Sequence, residues 1–345
     1  MNGIDFLKVN SDTEALALKK YLGTFTEAWR NQPTLIDSGL PVIHRTFQED
    51  GKEFQHLQFA ERPDAEDFDP GDQILGQNYA MTEVLIGPDK YLVASAFIKR
   101  DQMKKSHVTL IPKLAKSHAR KLKMLREKRI FITAALAARA QASNKDGLLV
   151  HSGGNRVTVT GGTLAAAFPL SATGAATFRS ALRTLALRQD EDSIPSTNRY
   201  LWIPPYMNSV ALYDNTAQVF SEDYIEPGTN NVQKRMITLL EGYKLLADKP
   251  NFTSANGTLP DQLIIDQPSK YNADFSPGAS TGTPVAISLC EGPDGGAAVA
   301  EVTFDEVQSF VKYYEDRLGW LVASFTMCGA GVMDPYCAGS IELIS

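Results

Sequence analysis

The sequence predicts an α+β fold with mixed sheets, and three observations carry that prediction. One apolar stripe with helical spacing runs through residues 111–136, long enough for a single extended helix. Short runs that alternate every two residues, or are continuously apolar, lie on both sides of it and are bounded by Gly and Pro. No internal repeat is visible, and the order of elements reads as α+β. With 345 residues the chain can bury one large core or divide into two or three lobes. A hydrophobic share of 43% and a charged share of 21% are ordinary for a globular protein and exclude wholesale disorder.

From the start, residues 12–29 are helix-prone, with Leu16, Leu18, Tyr21, Leu22 and Phe25 as apolar positions. Pro33 and Pro41 then break the chain, so residues 1–45 form an arm of short structure and breakers. From Phe54 the period becomes two: Phe54, His56 and Gln58 alternate with Gln55, Leu57 and Phe59. An acidic turn punctuated by Pro63, Pro70 and Gly71 leads to strand runs at 79–86 and, across Gly87-Pro88, at 90–98. Together these runs predict a long hairpin with charged, proline-bearing edges. Such a hairpin is marginal alone in water, so it must rest on something.

Thr109 can cap the next helix, and Pro112 sits in its first turn, where a missing N–H costs nothing. Ile111, Leu114, His118, Leu122, Leu125, Ile132 and Leu136 fall at steps of three and four, interrupted by charge at Arg129. The stripe predicts a helix of about 30 residues, roughly 45 Å long. Its first half is basic on every other face. Its second half, residues 130–140, is apolar and alanine-rich and is expected to enter the core.

Beyond Gly147 short strands are expected at 148–150 and 156–160, with turns at Gly153-Gly154 and Gly161-Gly162. Residues 175–188 form an amphipathic helix through Phe178, Leu182, Leu185 and Ala186. A buried strand at 200–203 ends at Pro204-Pro205, where a short helix (206–213) begins. A strand at 236–246 contains Gly242. Residues 251–284 form a long polar loop expected on an exposed lobe. Strands follow at 285–290, 320–328 and 340–344, with a helix at 304–314.

The charge is unevenly distributed. The net charge is −6, yet residues 49–72 hold nine acids against Lys52 and Arg62, among them Glu61, Asp64, Glu66, Asp67, Asp69 and Asp72. Residues 99–129 hold twelve Lys and Arg against Asp101 and Glu127, including Lys113, Lys116, Arg120, Lys121, Lys123 and Arg126. The basic block has three readings: a solvated helical face, a surface that attracts phosphate without reading sequence, or a seat for the acidic hairpin of a second copy. No aromatics interleave the charges, so base stacking is not supported. The third reading is preferred, with some phosphate contact on the other side. A lone domain gains little from separating charge, whereas a chain that lays one arm across a copy of itself gains attraction and register.

Other chemistry is sparse. No run approaches ~18 consecutive apolar residues, so a transmembrane span is excluded. The opening lacks a basic start followed by an apolar run, so a cytoplasmic, unprocessed product is expected. Cys290, Cys328 and Cys337 lack CxxC spacing and suggest reduced, semi-buried thiols. His44, His56, His107, His118 and His151 are scattered, with none at metal spacing, and His118 on the apolar stripe suggests a satisfied buried imidazole. Residues 278–282 match G-x-S-x-G, but Pro277 and Pro284 flank them in a loop, where the strand, sharp turn and helix of a nucleophile elbow have no room. The glycine pairs lack the GK[ST] ending of a phosphate loop. No catalytic constellation, metal set or cofactor motif is found, so an enzyme is not expected.

Several strings in order resemble one family. Residues 59–77 (FAERPDAEDFDPGDQILGQ) look like the extended loop of short-tailed-phage capsid proteins. Residues 91–101 look like the strand that leads into their long helix. RYLWIPPYMNSVAL (199–212) and LEGYKLL (240–246) resemble the strand-Pro-helix and the following strand of their central lobe. SFTMCGAGVMDPYCAGSIEL (324–343) resembles their closing strand, Gly-rich turn and final strand. The chain is thus identified as resembling the HK-97-type major capsid proteins of tailed bacteriophages, short-tailed (podovirus) branch.

The resemblance implies an N-terminal arm (1–45), an extended loop (46–95), a peripheral domain with a spine helix (96–145 and 283–328) and an axial domain (146–282 and 329–345). It implies hexamers and pentamers that close into an icosahedral shell around a double-stranded DNA genome, assembled in the host cytoplasm. Expected partners are copies of the chain, a separate scaffolding protein, a portal protein, genomic DNA by non-specific contact and, where one is present, a cement or decoration protein; no membrane is involved. No front segment of about a hundred helical residues supplies an internal scaffold, and no lysine–asparagine crosslinking pair is identified. The alternative is a nucleic-acid-binding structural protein that uses the basic stretch 99–129.

Overall fold

The computed structural model describes residues 11–31, 39–46, 53–59, 67, 69, 81–101, 110–145, 148–213, 230–231, 236–237, 239–247, 271, 275, 282–293 and 295–345. The first element is α1 (Ser11–Asn31), followed by β1 (Val42–Thr46), β2 (Phe54–Phe59), β3 (Met81–Ile86) and β4 (Leu92–Lys99). The long helix α2 (Leu110–Arg139) has the 30 residues that its stripe predicts. Next come β5 (Ser143–Lys145), β6 (Leu148–His151), β7 (Asn155–Thr160), the short α3 (Leu164–Ala167) and α4 (Ala172–Glu191). Then follow β8 (Tyr200–Ile203), α5 (Pro205–Ala211), β9 (Asn230–Asn231), β10 (Met236–Ile237), β11 (Leu239–Leu240) and β12 (Tyr243–Ala247). The chain closes with β13 (Thr283–Leu289), β14 (Val299–Tyr314), β15 (Gly319–Val332) and β16 (Ala338–Ile344). Local chemistry sets several boundaries: Ser171 accepts from the Gly174 N–H to cap α4, and Pro205 opens α5 where its missing N–H is harmless.

Two mixed sheets organise these elements. The four-stranded sheet runs β1-β14-β15-β4, and the six-stranded sheet runs β11-β12-β8-β13-β16-β7. In the first, β1 is parallel to β14 and the other pairs are antiparallel; in the second, β12/β8 and β16/β7 are parallel. Both faces of this arrangement depend on α2. Its first half buries Ile111, Ala115, Ala119 and Leu122 against α1 (Ala17, Tyr21, Phe25) and the four-stranded sheet (Ile98, Val322, Trp320). Its second half buries Ile130, Phe131, Ile132, Ala134 and Ala138 against Trp202, Ile287, Leu289 and Ala338 of the larger sheet. A third core holds α4 and α5 on that sheet through Phe178, Leu182, Leu185, Met207 and Val210. Small alanines let helix and sheet approach closely, which explains why the alanine-rich half is the more deeply buried one.

Four sequence expectations need correction. The helix expected at 304–314 is the second half of β14. Phe304, Val307 and Val311 mimic helical spacing because bulges between Thr303 and Asp305 and between Asp305 and Gln308 break the two-residue period. Pairing with β15 from Val299↔Val332 to Tyr314↔Gly319 satisfies the backbone, and Val311 and Tyr313 face in while Phe310 and Lys312 face out. The run after Gly87-Pro88 does not join the hairpin: β2 pairs with β3, whereas β4 pairs with β15. Gly242 is not inside a strand; Glu241 and Gly242 both have positive φ and turn β11 into β12. Within the stretch expected to be an exposed loop, Tyr271 and Phe275 are buried in the second core; residues 251–270 and 276–281, which include most of the G-x-S-x-G match, lie outside the described residues.

Candidate subunit interface

The β2–β3 ribbon is inverted relative to an ordinary surface hairpin. Gln58, one pair from the loop end of the ribbon, is buried and donates to the Met333 carbonyl at 2.5 Å, and His56 lies 3.3 Å from Asp334. Phe54, Val84 and Ile86 rest on Ala300, Val302 and Met333 of the body, and Arg45 lies over the Phe54 ring. The opposite side, set by the pairs Gln55↔Leu85 and Leu57↔Glu83, carries Leu57 (48% exposed), Leu85 (55%) and Met81, whose carbonyl accepts from Lys145. A ribbon that buries glutamine and exposes leucine has an unpartnered apolar face.

The four-stranded sheet presents a matching surface. Its α1/α2 side is covered, but register places Val93, Phe97 and Lys99 of β4, Leu321 and Phe325 of β15, and Phe310 and Lys312 of β14 together on the other side. Tyr91 (51% exposed) packs edge-on to Phe325, Phe310 lies beside Phe325, and Val93 is 59% exposed. The Phe97 ring lies over Gly319, where a Cβ would meet it at 2.5 Å. This face is therefore aromatic at its centre and cationic at one end.

The sequence-predicted charges fall into different settings. Lys113, Lys116, Arg120 and Lys121 are exposed on the first half of α2. Lys123 is half-buried, donates to the Trp29 carbonyl at 3.1 Å and lies over the Trp29 ring, tying α2 to α1. Arg126 turns inward and holds Glu301 through two N–H groups, with Nη2 to Oε2 at 2.7 Å. Asp67 and Asp69 are exposed, while Glu61, Asp64, Glu66 and Asp72 lie outside the described residues. Within one subunit the structure brings none of the described acids of this set onto the basic helix.

Buried carboxylates that the sequence reading passed over hold the frame on which these surfaces sit. Glu301 accepts from His44 at 2.8 Å as well as from Arg126. Burial alone would raise its carboxyl, but the hydrogen bonds from His44 and Arg126 and the Arg126 charge outweigh burial and hold it below the usual range. Glu342, fully buried, sits between Arg139 and Arg156, each with Nε at 2.7 Å. Asp89 accepts from the Tyr271 hydroxyl and faces Arg129, whose guanidinium lies over the Tyr271 ring. Their signal is visible in the chain: Glu301 in VAEVTF and Glu342 in SIELI are lone acids inside apolar strand runs, where a charge must be paired.

At the α1–α2 seam, the His118 ring nitrogen Nδ1 is 2.8 Å from the Tyr21 hydroxyl, itself 2.5 Å from Ser324. Burial, and secondarily Lys121, lowers the His118 pKa, so the ring is neutral at pH 7. Burial pushes Tyr21 up to about 12. The three thiols are free and buried rather than semi-buried; burial raises Cys290 and Cys328 to about 11 and raises Cys337 as well, leaving them protonated and unreactive. Among the described residues no group of His, Cys, Asp or Glu could hold a metal, and no helix is long and apolar enough to cross a membrane.

A family model described as Gp10A-like: Major capsid protein matches residues 59–342. No curated protein matches the sequence. Among solved structures, the chain is similar to the capsid of the Cyanophage P-SCSP1u (TM-score 0.70, 17% identity, covering 91% of this chain and 89% of that chain). It is also similar to the mature capsid of bacteriophage PhiM1 (0.65, 13%, 88% and 86%) and to the acidic stable capsid of Helicobacter pylori bacteriophage KHP30 (0.58, 13%, 90% and 91%). At these identities the likeness is one of fold.

Proposed function

Because the chain belongs to the Gp10A-like family of major capsid proteins, we propose a route by which its copies join. It is a shell-forming structural protein of the phage capsid with the HK-97-type fold. The finer reading is that hexamers and pentamers close into an icosahedral shell around double-stranded DNA, in the short-tailed branch. A separate scaffolding protein and a portal, with a cement protein where one is present, attend assembly in the host cytoplasm. The chain has no enzymatic role.

The observation that carries this reading is the pair of open apolar faces. The β2–β3 ribbon is anchored on one side and exposes Leu57, Leu85 and Met81 on the other, and the sheet exposes Tyr91, Val93, Phe97 and Phe310. The ribbon of one copy lies across the peripheral region of the next, its acidic tip meeting Lys99 and Lys312 at the cationic end of the aromatic face. A single exposed ion pair contributes ~0–1 kcal/mol. Several weak pairs therefore set register and tolerate small angular differences between quasi-equivalent positions, while apolar burial at ~25 cal/mol per Å² supplies most of the affinity. Because β4 pairs with β15, the connecting arm is taken to end near Ile86.

Negative-stain electron microscopy of the purified chain, with and without the products of its genomic neighbours, tests the reading. Closed shells or rings of five or six subunits are expected from the wild type. Leu57→Asp with Leu85→Asp is expected to leave folded, unassembled subunits, and Asp67→Lys with Asp69→Lys to slow assembly. Full assembly of the leucine variant removes the ribbon as the connecting arm. A uniform monomer under every condition overturns the finer shell geometry.

A further inference from the structure

Resting on the shell reading above, we infer that α1 and the first half of α2 form one two-helix surface for the phosphodiester backbone of a nucleic acid. The two helices pack side by side on the same side of the four-stranded sheet, because Ala17, Tyr21 and Phe25 share a core with Ile111, Ala115, Ala119 and Leu122. That packing fixes what points away. At about 100° per residue, Lys19 and Arg30 lie opposite the buried stripe of α1 and about three turns apart, roughly 16 Å along the axis. Lys113 and Arg120 lie opposite the buried stripe of α2 about two turns apart, with Lys116 and Lys121 flanking them. All six are exposed, as is Lys20. Among the described side chains of the two helices the exposed acid is Glu27, since Glu127 is buried.

The sorting of cations along α2 gives this surface its meaning. Arg126 and Arg139 are held inside by Glu301 and Glu342, and Arg129 faces Asp89. Lys113, Lys116 and Lys121 of the first half instead face solvent beside the cations of α1, a helix that composition alone does not connect with the basic block. Cations spaced by helical turns on two adjacent helices suit a repeating row of phosphates, which needs charge and reach rather than base contacts. Of the two indoles in this layer, Trp29 lies under Lys123 and Trp320 is buried in the shared core, so neither offers a base a stacking face. The apolar ribbon has its counterpart on the opposite, aromatic side of the sheet. The helix layer is thereby left for the packaged polyanion, and the subunit acquires an inside and an outside.

The test uses the full-length chain as unassembled subunits and a fluorescein-labelled 30-base-pair duplex, with anisotropy read over a range of KCl. The variant Lys19→Gln, Arg30→Gln, Lys113→Gln, Lys116→Gln, Lys121→Gln is expected to weaken binding at least tenfold. It should also lower the slope of log K against log salt by about 0.9 for each phosphate that is no longer neutralised. The control Lys90→Gln with Arg317→Gln, exposed in turns outside the two helices, is expected to keep the wild-type slope. Circular dichroism confirms that both variants are folded. Unchanged DNA binding by the five-site variant overturns the inference. If that variant keeps its DNA binding but loses shell assembly, the helix face is a seat for a neighbour's acids, and the inference is again overturned. Failure of the wild type to form shells is read separately, by microscopy, and bears on the shell reading alone.

Discussion

The two halves of α2 are one helix in two environments, and they use the same residue type in opposite ways. In the second half Arg129 and Arg139 are drawn into the body, where Asp89 and Glu342 face them. In the first half Lys113, Lys116 and Lys121 project into solvent over a seam of Ala115 and Ala119. The inner arginines are structural because desolvation makes an unpaired charge costly there. The outer lysines cost the fold almost nothing and so remain available to a partner. Position along the helix, rather than the charge itself, decides between architecture and recognition.

The sharpest way to break this comparison is to remove a buried partner. Glu342→Ala leaves Arg139 and Arg156 without their shared carboxylate between the final strand, α2 and β7. A loss of about 3 kcal/mol is expected, at the low end for a broken buried pair because both arginines retain some access to solvent. Urea unfolding of the unassembled chain measures it. Next in size is Ala119→Leu, which forces extra volume into the fully buried α1–α2 seam and is expected to cost about 1–3 kcal/mol in the same assay. A smaller effect would mean that α1 is only loosely seated on the long helix.

Two pH windows separate the seam from the inner ion pairs. The His118 pKa lies below its ordinary 6.5, so the folded state binds fewer protons than the unfolded state just beneath that value. The stabilising contribution is complete above about pH 6.5 and is lost as pH falls toward the folded pKa; His118→Gln is expected to flatten that part of the stability profile. The Glu301 carboxyl lies below its ordinary 4.5, so its contribution is complete above about pH 4.5 and disappears only as pH falls through the lower, folded value. Glu301→Gln should therefore flatten the profile only in that more acidic range. A single shared window for both variants would show that seam and frame unfold through one common group.

Much of the frame is legible in the chain because local signals and tertiary demand agree. The three-and-four spacing from Ile111 to Leu136 delimits α2, Pro204-Pro205 marks the junction of β8 and α5, and the alanine-rich half of α2 enters the core as its composition requires. The second half of β14 imitates a helix because its bulges shift the alternation, leaving Phe304, Val307 and Val311 at helical spacing. Only the partner strand, outside any local window, reveals the strand there. The candidate interface is half legible. Charge asymmetry identifies the basic helix, but the apolar faces are hidden in strands whose two sides look alike. Tyr91, Val93 and Phe97 face one way while Leu92, Ala94 and Ile98 face the other. Both sides being apolar is itself the signal that both must be covered, one of them by another molecule.

The smallest expected effect bears most directly on the comparison. Lys113→Ala with Lys116→Ala removes two exposed cations from the outer half of α2 without touching the seam formed by Ala115, His118 and Ala119. Surface changes of this kind shift stability by less than about 0.5 kcal/mol, and alanine favours the helix slightly over lysine. The melting temperature of the unassembled chain should therefore stay where it is. The equivalent removal of charge from the inner half, Arg139→Ala, leaves buried Glu342 with Arg156 and the Ser340 hydroxyl and should lower the melting temperature clearly. Equal losses from the two substitutions would mean that the outer lysines also hold the fold together. The division of α2 into a structural half and a recognition half would then fail.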